Sequence, residues 1–361
     1  MSESVLSSSP RLALPSIVPP IVPRRAAALR TLRETLWARG FLEADTPLLV
    51  PGPGLEPQID PLVVDVRTDL VGKTAARLWL ITSPELALKR VVASGVPRVF
   101  QLGHVFRDGE RSRRHVPEFT LLEWYRGPGT LDDILDDTMA LIRAVAAVIG
   151  NRSGLDLNAA PERLTLAEAF HQHAHVDLDA AIDETAAGDE GALARRAVAA
   201  GIGLVGAERM DFDDAFFAVM DQVVEPAIGQ ARLCVLERWP TQMAVLARRC
   251  DDDPRYAMRF ELYGQHAPRG GTAGSLELCN AFDELRDPVE QRARFEDDNA
   301  ARARLGKPVL PLDEDFLAAL PSLPSPTAGN ALGVDRVLML LLGASTIDEV
   351  LAQPFRLACG R

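Results

Sequence analysis

Nine residues, from Arg107 to His115, contain Arg107, Arg111, Arg113, Arg114 and His115, in a chain whose formal charge is −12. Arginine suits phosphate oxygens, because its guanidinium is a planar fork of donors with a permanent charge. A second arginine, Arg336, lies at the start of the apolar stretch GVDRVLMLLLG. That stretch reads as a helix, and a helix N-terminus also favours anions. Two such arginines on separate elements could clamp a triphosphate from both sides. Glu277 and Asn280 stand three residues apart on a late strand. With phosphate oxygens they could hold Mg2+, which takes oxygen ligands and keeps several waters. Glu123, Tyr125 and Glu284 bring negative charge and an aromatic ring beside the phosphates, where a substrate carrying an amine would fit. A buried carboxylate there rejects a ligand without the amine, because the acid is left unpaired.

Each feature also has a plainer reading. An arginine-rich loop can be a solvated charge run, Glu123 a surface acid paired with a neighbour, and Arg336 half of a structural ion pair. Their joint order and spacing favour the chemical reading. His171, His173 and His175 alternate as HxHxH. A strand would set them on one face like metal ligands, whereas the preceding TLAEAFHQ pattern points to a surface helix end. Cys279 reads as a small packed residue.

These residues need a scaffold. The chain has 361 residues, 47% hydrophobic and 25% charged, which is a globular composition. Its acidity argues against broad nucleic-acid binding, which needs many cationic contacts to phosphate; a local basic cleft can still focus an anion. No apolar run reaches the ~18 residues of a membrane span. The cysteines Cys234, Cys250, Cys279 and Cys359 form no CxxC pair, so a reducing cytoplasm is expected. Residues 1–22 are rich in Ser and Pro and read as a flexible arm.

A first helix is expected after Pro23, ending at Gly40. FLEADTPLLVPGPG must be extended, since its prolines forbid helix. PLVVDVRT and RLWLIT read as strands. In SPELALKRVVASG, Ser83 is the expected N-cap, Pro84 the first helical residue and Glu85 the first-turn acid. RVFQLGHVF and EFTLLEWYR read as antiparallel strands joined by the basic loop. A helix should run from Thr130 to Gly150, followed by mostly helical, Ala-rich sequence to residue 230. LCVLE, QMAVLAR, AMRFELYG and SLELCNAF read as strands, the last two separated by the Gly-rich GQHAPRGGTAG. DPVEQRARFEDDNAARARLG reads as a polar helix. This order favours an α+β fold with an antiparallel sheet flanked by helices. Neither GxGxxG nor GxxxxGK[ST] occurs.

Four separated segments then carry a resemblance: FLEADTP; SPELALKRVVASGVPRVFQLGHVFRD through RHVPEFTLLEWYR; LELCNAFDELRDPVEQRARFEDDN; and ALGVDRVLMLLLGA. In this order, from about Arg24 to about Phe355, they resemble the motifs of class II lysyl-tRNA synthetases. They are most similar to the synthetase paralogues that modify translation elongation factor P. A true synthetase carries an anticodon-binding OB-fold ahead of the first motif, and roughly two dozen residues cannot build that five-stranded barrel. Ala331 also stands where the synthetase usually has Gly, as in the paralogues that prefer (R)-β-lysine.

The resemblance implies a class II catalytic domain over residues 23–361 with no anticodon-binding domain. It implies ATP and Mg2+ as cofactors, lysine or β-lysine as substrate, elongation factor P as acceptor, no stable tRNA or DNA binding, and a homodimer formed through the first motif. Arg107 and Arg336 would be the catalytic arginines, on the α- and γ-phosphate sides of ATP. Asp108, Gly109, Glu110, His115, Val116, Glu277, Leu278, Asn280 and Gly333 would complete the ATP site, with Glu277 and Asn280 toward Mg2+. Ser83, Pro84, Glu85, Glu123, Tyr125, Glu284 and Ala331 would form the amino-acid pocket, Glu284 facing the side-chain ammonium. The chain departs from the family in the basic loop. Asp108 and Gly109 replace the usual Asn-Glu, which leaves the acid one place late at Glu110. Ser112 replaces a Gly and Val116 an Asn. The resemblance leaves two alternatives: a class II enzyme with another acceptor, and a non-catalytic amino-acid sensor. Arg111, Arg113 and Arg114 exceed what ATP needs and are candidates for receiving an acidic protein acceptor.

Overall fold

A computed structural model describes residues 20–67, 69, 72, 75–267 and 274–355. Among them, eleven strands make two sheets. They are β1 (Leu42–Glu43), β2 (Leu49–Val50), β3 (Val63–Arg67), β4 (Ala75–Leu80), β5 (Arg98–Phe106), β6 (Glu118–Arg126), β7 (Glu162–Thr165), β8 (Cys234–Pro240), β9 (Tyr256–His266), β10 (Gly274–Asp283) and β11 (Ala328–Gly333). The large sheet has the order β1-β5-β6-β11-β10-β9-β8-β7, and the small one β2-β4-β3. Only the two outermost pairs of the large sheet, β1–β5 and β7–β8, are parallel. This is the α+β, mainly antiparallel architecture expected.

Strand β6 sits inside the large sheet and is buried along nearly its whole length. Its alternation divides the molecule. Leu122 and Trp124 enter the main core with Ala28, Leu32 and Leu36 of the helix Ile21–Ala38 and with the helix Leu131–Ile149. Glu123 and Tyr125 therefore point to the opposite face, where the site lies. The helix Leu131–Ile149 starts on a capping box, in which Thr130 and Asp133 satisfy each other's backbone N–H groups. Its Asp137 is fully buried and accepts two bonds from Arg126, at 2.6 and 2.7 Å, and one from Arg39. The helical middle has a second core around Phe170, Phe212, Phe216 and Trp239.

Several expectations need correcting. The first helix begins at Ile21 and takes Pro23 into its first turn, where a missing N–H costs nothing. The helix Glu85–Ala93 has Pro84, not Ser83, as the residue before its first turn. QMAVLAR is not a strand; it begins within the single turn Thr241–Met243, and only Ala247 makes an isolated bridge. Conversely, Ala328–Gly333 is a strand in the middle of the sheet. The excursion GQHAPRGGTAG is shorter than expected, since Gly264–His266 belong to β9 and Gly274 to β10. Residues 268–273, most of the N-terminal arm and Cys359 lie outside the described residues.

Candidate active site

One row of cross-strand neighbours organises the site. Gln101, Glu123, Ala331, Asn280 and Glu261 pair in register across β5, β6, β11, β10 and β9. Ala331 thus lies between Glu123 and Asn280. Glu277 and Asn280 are three apart, and a regular strand would turn them to opposite faces. A bulge between Glu277 and Cys279 resets the alternation, so both lie half-buried.

The basic half gathers at one end of this row. Arg336 donates to the Glu277 carboxylate at 2.9 Å and to the Glu277 carbonyl at 3.1 Å. Its other nitrogen meets His115 Nε2 at 2.6 Å. A guanidinium can only donate, so His115 Nε2 accepts and Nδ1 carries the proton, 2.8 Å from Ser112 Oγ. Burial and the Arg336 charge hold this imidazole below its usual pKa, consistent with a neutral ring. Arg107 stacks over Phe119 at 5.1 Å and sits 3.6 Å from Glu110. Gly109 takes φ +74°, a left-handed turn that suits glycine, and Glu110 so returns toward Arg107. The Arg107 Nε–H is buried without a partner. A donor left open on an arginine beside a second arginine fits an incoming anion such as phosphate.

The helix Val334–Leu342 carries Arg336, and Asp335 pins its start. That buried carboxylate accepts from Arg25 and, at 2.9 Å, from the Thr120 N–H of β6. Arg336 is thereby fixed against the sheet.

The acidic half lies at the other end. Glu123 is buried and accepts 2.6 Å bonds from Ser83 Oγ and from the Tyr125 hydroxyl. Ser83 Oγ in turn accepts from the Glu85 N–H at 3.0 Å. Burial, and then the charge of Glu85, push the Glu123 carboxyl up to about 8. Glu284 is buried, and its carboxyl is raised well above the usual range, first by desolvation. Lys89 supplies the cation that sequence reasoning missed. Its ammonium is buried, 2.5 Å from Glu85 and ion-paired to Glu284. Burial works to lower its pKa, but Glu284 and Glu85 hold it above the usual value. The visible signal was its position one turn after Glu85 in PELALK.

The remaining expected residues divide. Gly333 opens the arginine-bearing helix, and Pro84 lines a cavity beside Ser83 and Glu85. Val116 and Leu278 are buried in the main core, so their side chains do not reach the site. Asp108 is exposed and bridges to Asp60 through its backbone. Asn280 Oδ1 accepts from Arg259 at 3.0 Å. Of the supernumerary arginines, Arg111 pairs with Asp348 at 2.8 Å and Arg114 donates to the Ser275 carbonyl at 2.9 Å. Arg113 is exposed. His171 and His173 lie in a wide turn closing a helix whose anchors are Phe170 and Ala174, which gives the surface helix-end reading. No group of three metal-ligating side chains occurs among the described residues. Cys279 is buried and packed, as expected.

One end of this sheet face thus gathers arginines, and the other gathers buried carboxyls. The family model for tRNA synthetases class II (D, K and N) matches residues 19–356, and the chain belongs to that family. Within it, the chain is similar to proteins named elongation factor P–(R)-β-lysine ligase. It is 38% identical to the one from Pseudoalteromonas translucida over 334 residues, 91% of this chain and 93% of the relative. It is 35% identical to one from Klebsiella pneumoniae over 341 residues, 94% and 96% of the two chains. The protein of that name from Mannheimia succiniciproducens is 34% identical over 339 residues, 91% and 93%.

Proposed function

We propose that this chain is an elongation factor P–(R)-β-lysine ligase, which activates its amino acid with ATP and transfers it to a lysine side chain of the factor. The relatives' shared name supports the reaction class. The observation carrying the mechanism is the unpartnered Arg107 Nε–H near His115 and Arg336, on the sheet face that also presents buried Glu123. Arg107 and Arg336 hold the triphosphate. The substrate carboxylate, already ionised, attacks the α-phosphorus. The bond from that phosphorus to the bridging oxygen of pyrophosphate breaks, leaving an acyl-adenylate. No general base is needed; positioning and arginine charge lower the barrier. A neutral lysine amine of the acceptor then attacks the acyl carbon, loses its proton and expels AMP.

Glu277 is the residue that fits Mg2+. Burial, and then the Glu277 charge, push the carboxyls of Glu225 and Glu261 up to about 7, against the lowering effects of Arg114, Arg336 and Arg259. Mg2+ bound there would neutralise phosphate charge. Glu123, Tyr125 and Glu284 take the distal ammonium, with Lys89 holding Glu284 and Glu85 in place. Ala331, between Glu123 and Asn280, sets the room for the substrate chain. We read residues 23–361 as one catalytic domain, working as a homodimer in the cytoplasm. Buried free thiols at Cys234, Cys250 and Cys279 suit that compartment.

Pyrophosphate exchange with (S)-α-lysine and (R)-β-lysine in parallel tests the first step, and mass spectrometry of elongation factor P the second. Exchange should require a lysine isomer, and Arg107→Met should lower kcat/KM by roughly a hundredfold or more. No exchange with either isomer would overturn the ligase reading. Arg113→Glu should weaken transfer to the acceptor and leave exchange intact; equal loss of both would remove Arg113 from acceptor docking.

A further inference from the structure

The loop of residues 107–117, between β5 and β6, carries Arg107, Glu110 and His115 to the site, yet most of its tip is exposed. Gly109 turns through φ +74°, and a Cβ there would meet nothing within 4 Å, so packing does not fix this turn. The stem of the loop is held by its neighbours. The Arg107 N–H donates to the Pro117 carbonyl at 2.9 Å, and the Asp108 N–H to the Asp60 carbonyl at 2.7 Å. The tip is held from 237 residues further along the chain. Arg111 forks onto Asp348, its two terminal nitrogens 2.8 and 3.5 Å from the two carboxylate oxygens. The same guanidinium lies 3.5 Å from the Phe355 carbonyl and 6.0 Å from the centre of the Phe355 ring. Two residues on, the Arg113 carbonyl accepts from the Ile347 N–H at 2.9 Å.

The segment that receives the tip is itself fixed. Ile347 and Val350 are buried in the main core, and Phe355 packs against it. Thr346 and Glu349 cap the short turn Ile347–Glu349. Asp348 Oδ1 also accepts from the Phe355 N–H at 3.2 Å. A loop that wanders in the free protein must be ordered when its ligand binds, and that cost weakens binding; a loop held beforehand avoids it. We propose that Asp348 is a positioning residue for ATP. Through Arg111 it holds the loop so that Arg107, Glu110 and His115 are in place before the nucleotide arrives. For the identity of the nucleotide the inference rests on the ligase reading above.

The side chains of Arg111 and Asp348 are 39% and 28% exposed. A pair so placed adds little to global stability. Its effect is local, on the order of one loop, and this sets it apart from the buried Arg126–Asp137 pair beneath the sheet. Arg111 is also committed: its charge is already matched by Asp348, which makes it a poor receiver for an acidic acceptor. Arg113, exposed on the same loop, keeps that role.

The test measures pyrophosphate exchange at varied ATP and at varied lysine for the wild type, Asp348→Ala, Arg111→Ala and the double variant. Each single change should raise KM for ATP about three- to tenfold. KM for the lysine isomer and the melting temperature should stay nearly unchanged. The double variant should be no worse than the weaker single one, because both changes remove the same link. Brief trypsin digestion read by mass spectrometry should cut Asp348→Ala after Arg113 or Arg114 several times faster than the wild type. An unchanged KM for ATP in the single variants overturns the proposal, as do additive effects in the double variant or equal rates of trypsin cleavage. A parallel rise in both KM values with a lower melting temperature makes the pair structural and overturns it too. If Arg111→Ala slows transfer to elongation factor P without altering KM for ATP, Arg111 belongs to the acceptor and the proposal falls. A wild type without exchange fails the ligase reading, whereas the trypsin comparison needs no substrate and decides separately whether Asp348 holds the loop.

Discussion

Gly329 has no side chain because the Tyr125 ring occupies the space one would fill. The two residues are partners across β6 and β11, and a Cβ at Gly329 would lie 2.2 Å from the ring. The ring is rigid, and its hydroxyl is fixed 2.6 Å from Glu123. Gly329→Ala must therefore displace Tyr125 and loosen the pocket wall. We expect a loss of about 1–3 kcal/mol in chemical denaturation, with KM for the diamino acid rising more than KM for ATP. Equal KM values in variant and wild type would separate Tyr125 from substrate binding. Nothing in the local sequence announced this glycine. Arg107, Arg336, Glu123 and Glu284 could be singled out because arginines and acids beside or within apolar stretches are chemically conspicuous. Lys89 could not, because a lysine in an amphipathic helix ordinarily faces solvent, and only the two acids opposite make its burial tolerable.

The elements most legible in the sequence were those with strong local signals. The capped helix after Thr130 and the antiparallel pair β5–β6 follow from capping chemistry and hydrophobic pattern. Strand β11 escaped notice because AGNALG is short, small and lacks β-branched residues; its place comes from pairing on both sides. QMAVLAR has the opposite history, with strand-like composition but only one isolated bridge, at Ala247. Asp335 is where two elements are tied together. It accepts from the Thr120 N–H and from Arg25, which also donates to Thr120 Oγ1 and to the Val350 carbonyl. Asp335→Asn leaves the largely buried Arg25 without its counter-charge. Breaking such a pair costs about 3–5 kcal/mol. The expected outcome is a loss of that order, with a raised KM for ATP because Arg336 follows directly in the chain. Arg25→Met should be less harmful when added to Asp335→Asn than alone. Additive losses would mean that the two residues act independently.

At the scale of the whole molecule, one face remains incomplete. Trp37, Leu42, Leu48, Leu49 and Val63 are all at least 38% exposed. They belong to the end of the first helix, the edge strand β1, the segment leading into β2, and β2 and β3 of the small sheet. β1 has only two residues and leaves the outer edge of the large sheet unpaired. A groove lined by Arg33, Glu43, Asp45, Leu48 and His104 opens alongside. Exposed apolar side chains around an open sheet edge and a polar groove are what a second copy would cover, and a twofold pairing would place the same patch on both partners. The groove also borders Gln101, the first residue of the row that includes Glu123, so covering it would support the amine pocket from behind. The wild type should sediment as a dimer at micromolar concentration. Trp37→Glu combined with Leu42→Glu should shift it to monomer and lower pyrophosphate exchange, with the loss growing on dilution of any residual dimer. A wild type that sediments as a monomer while fully active would remove the dimer from the mechanism and leave this apolar face without its proposed partner.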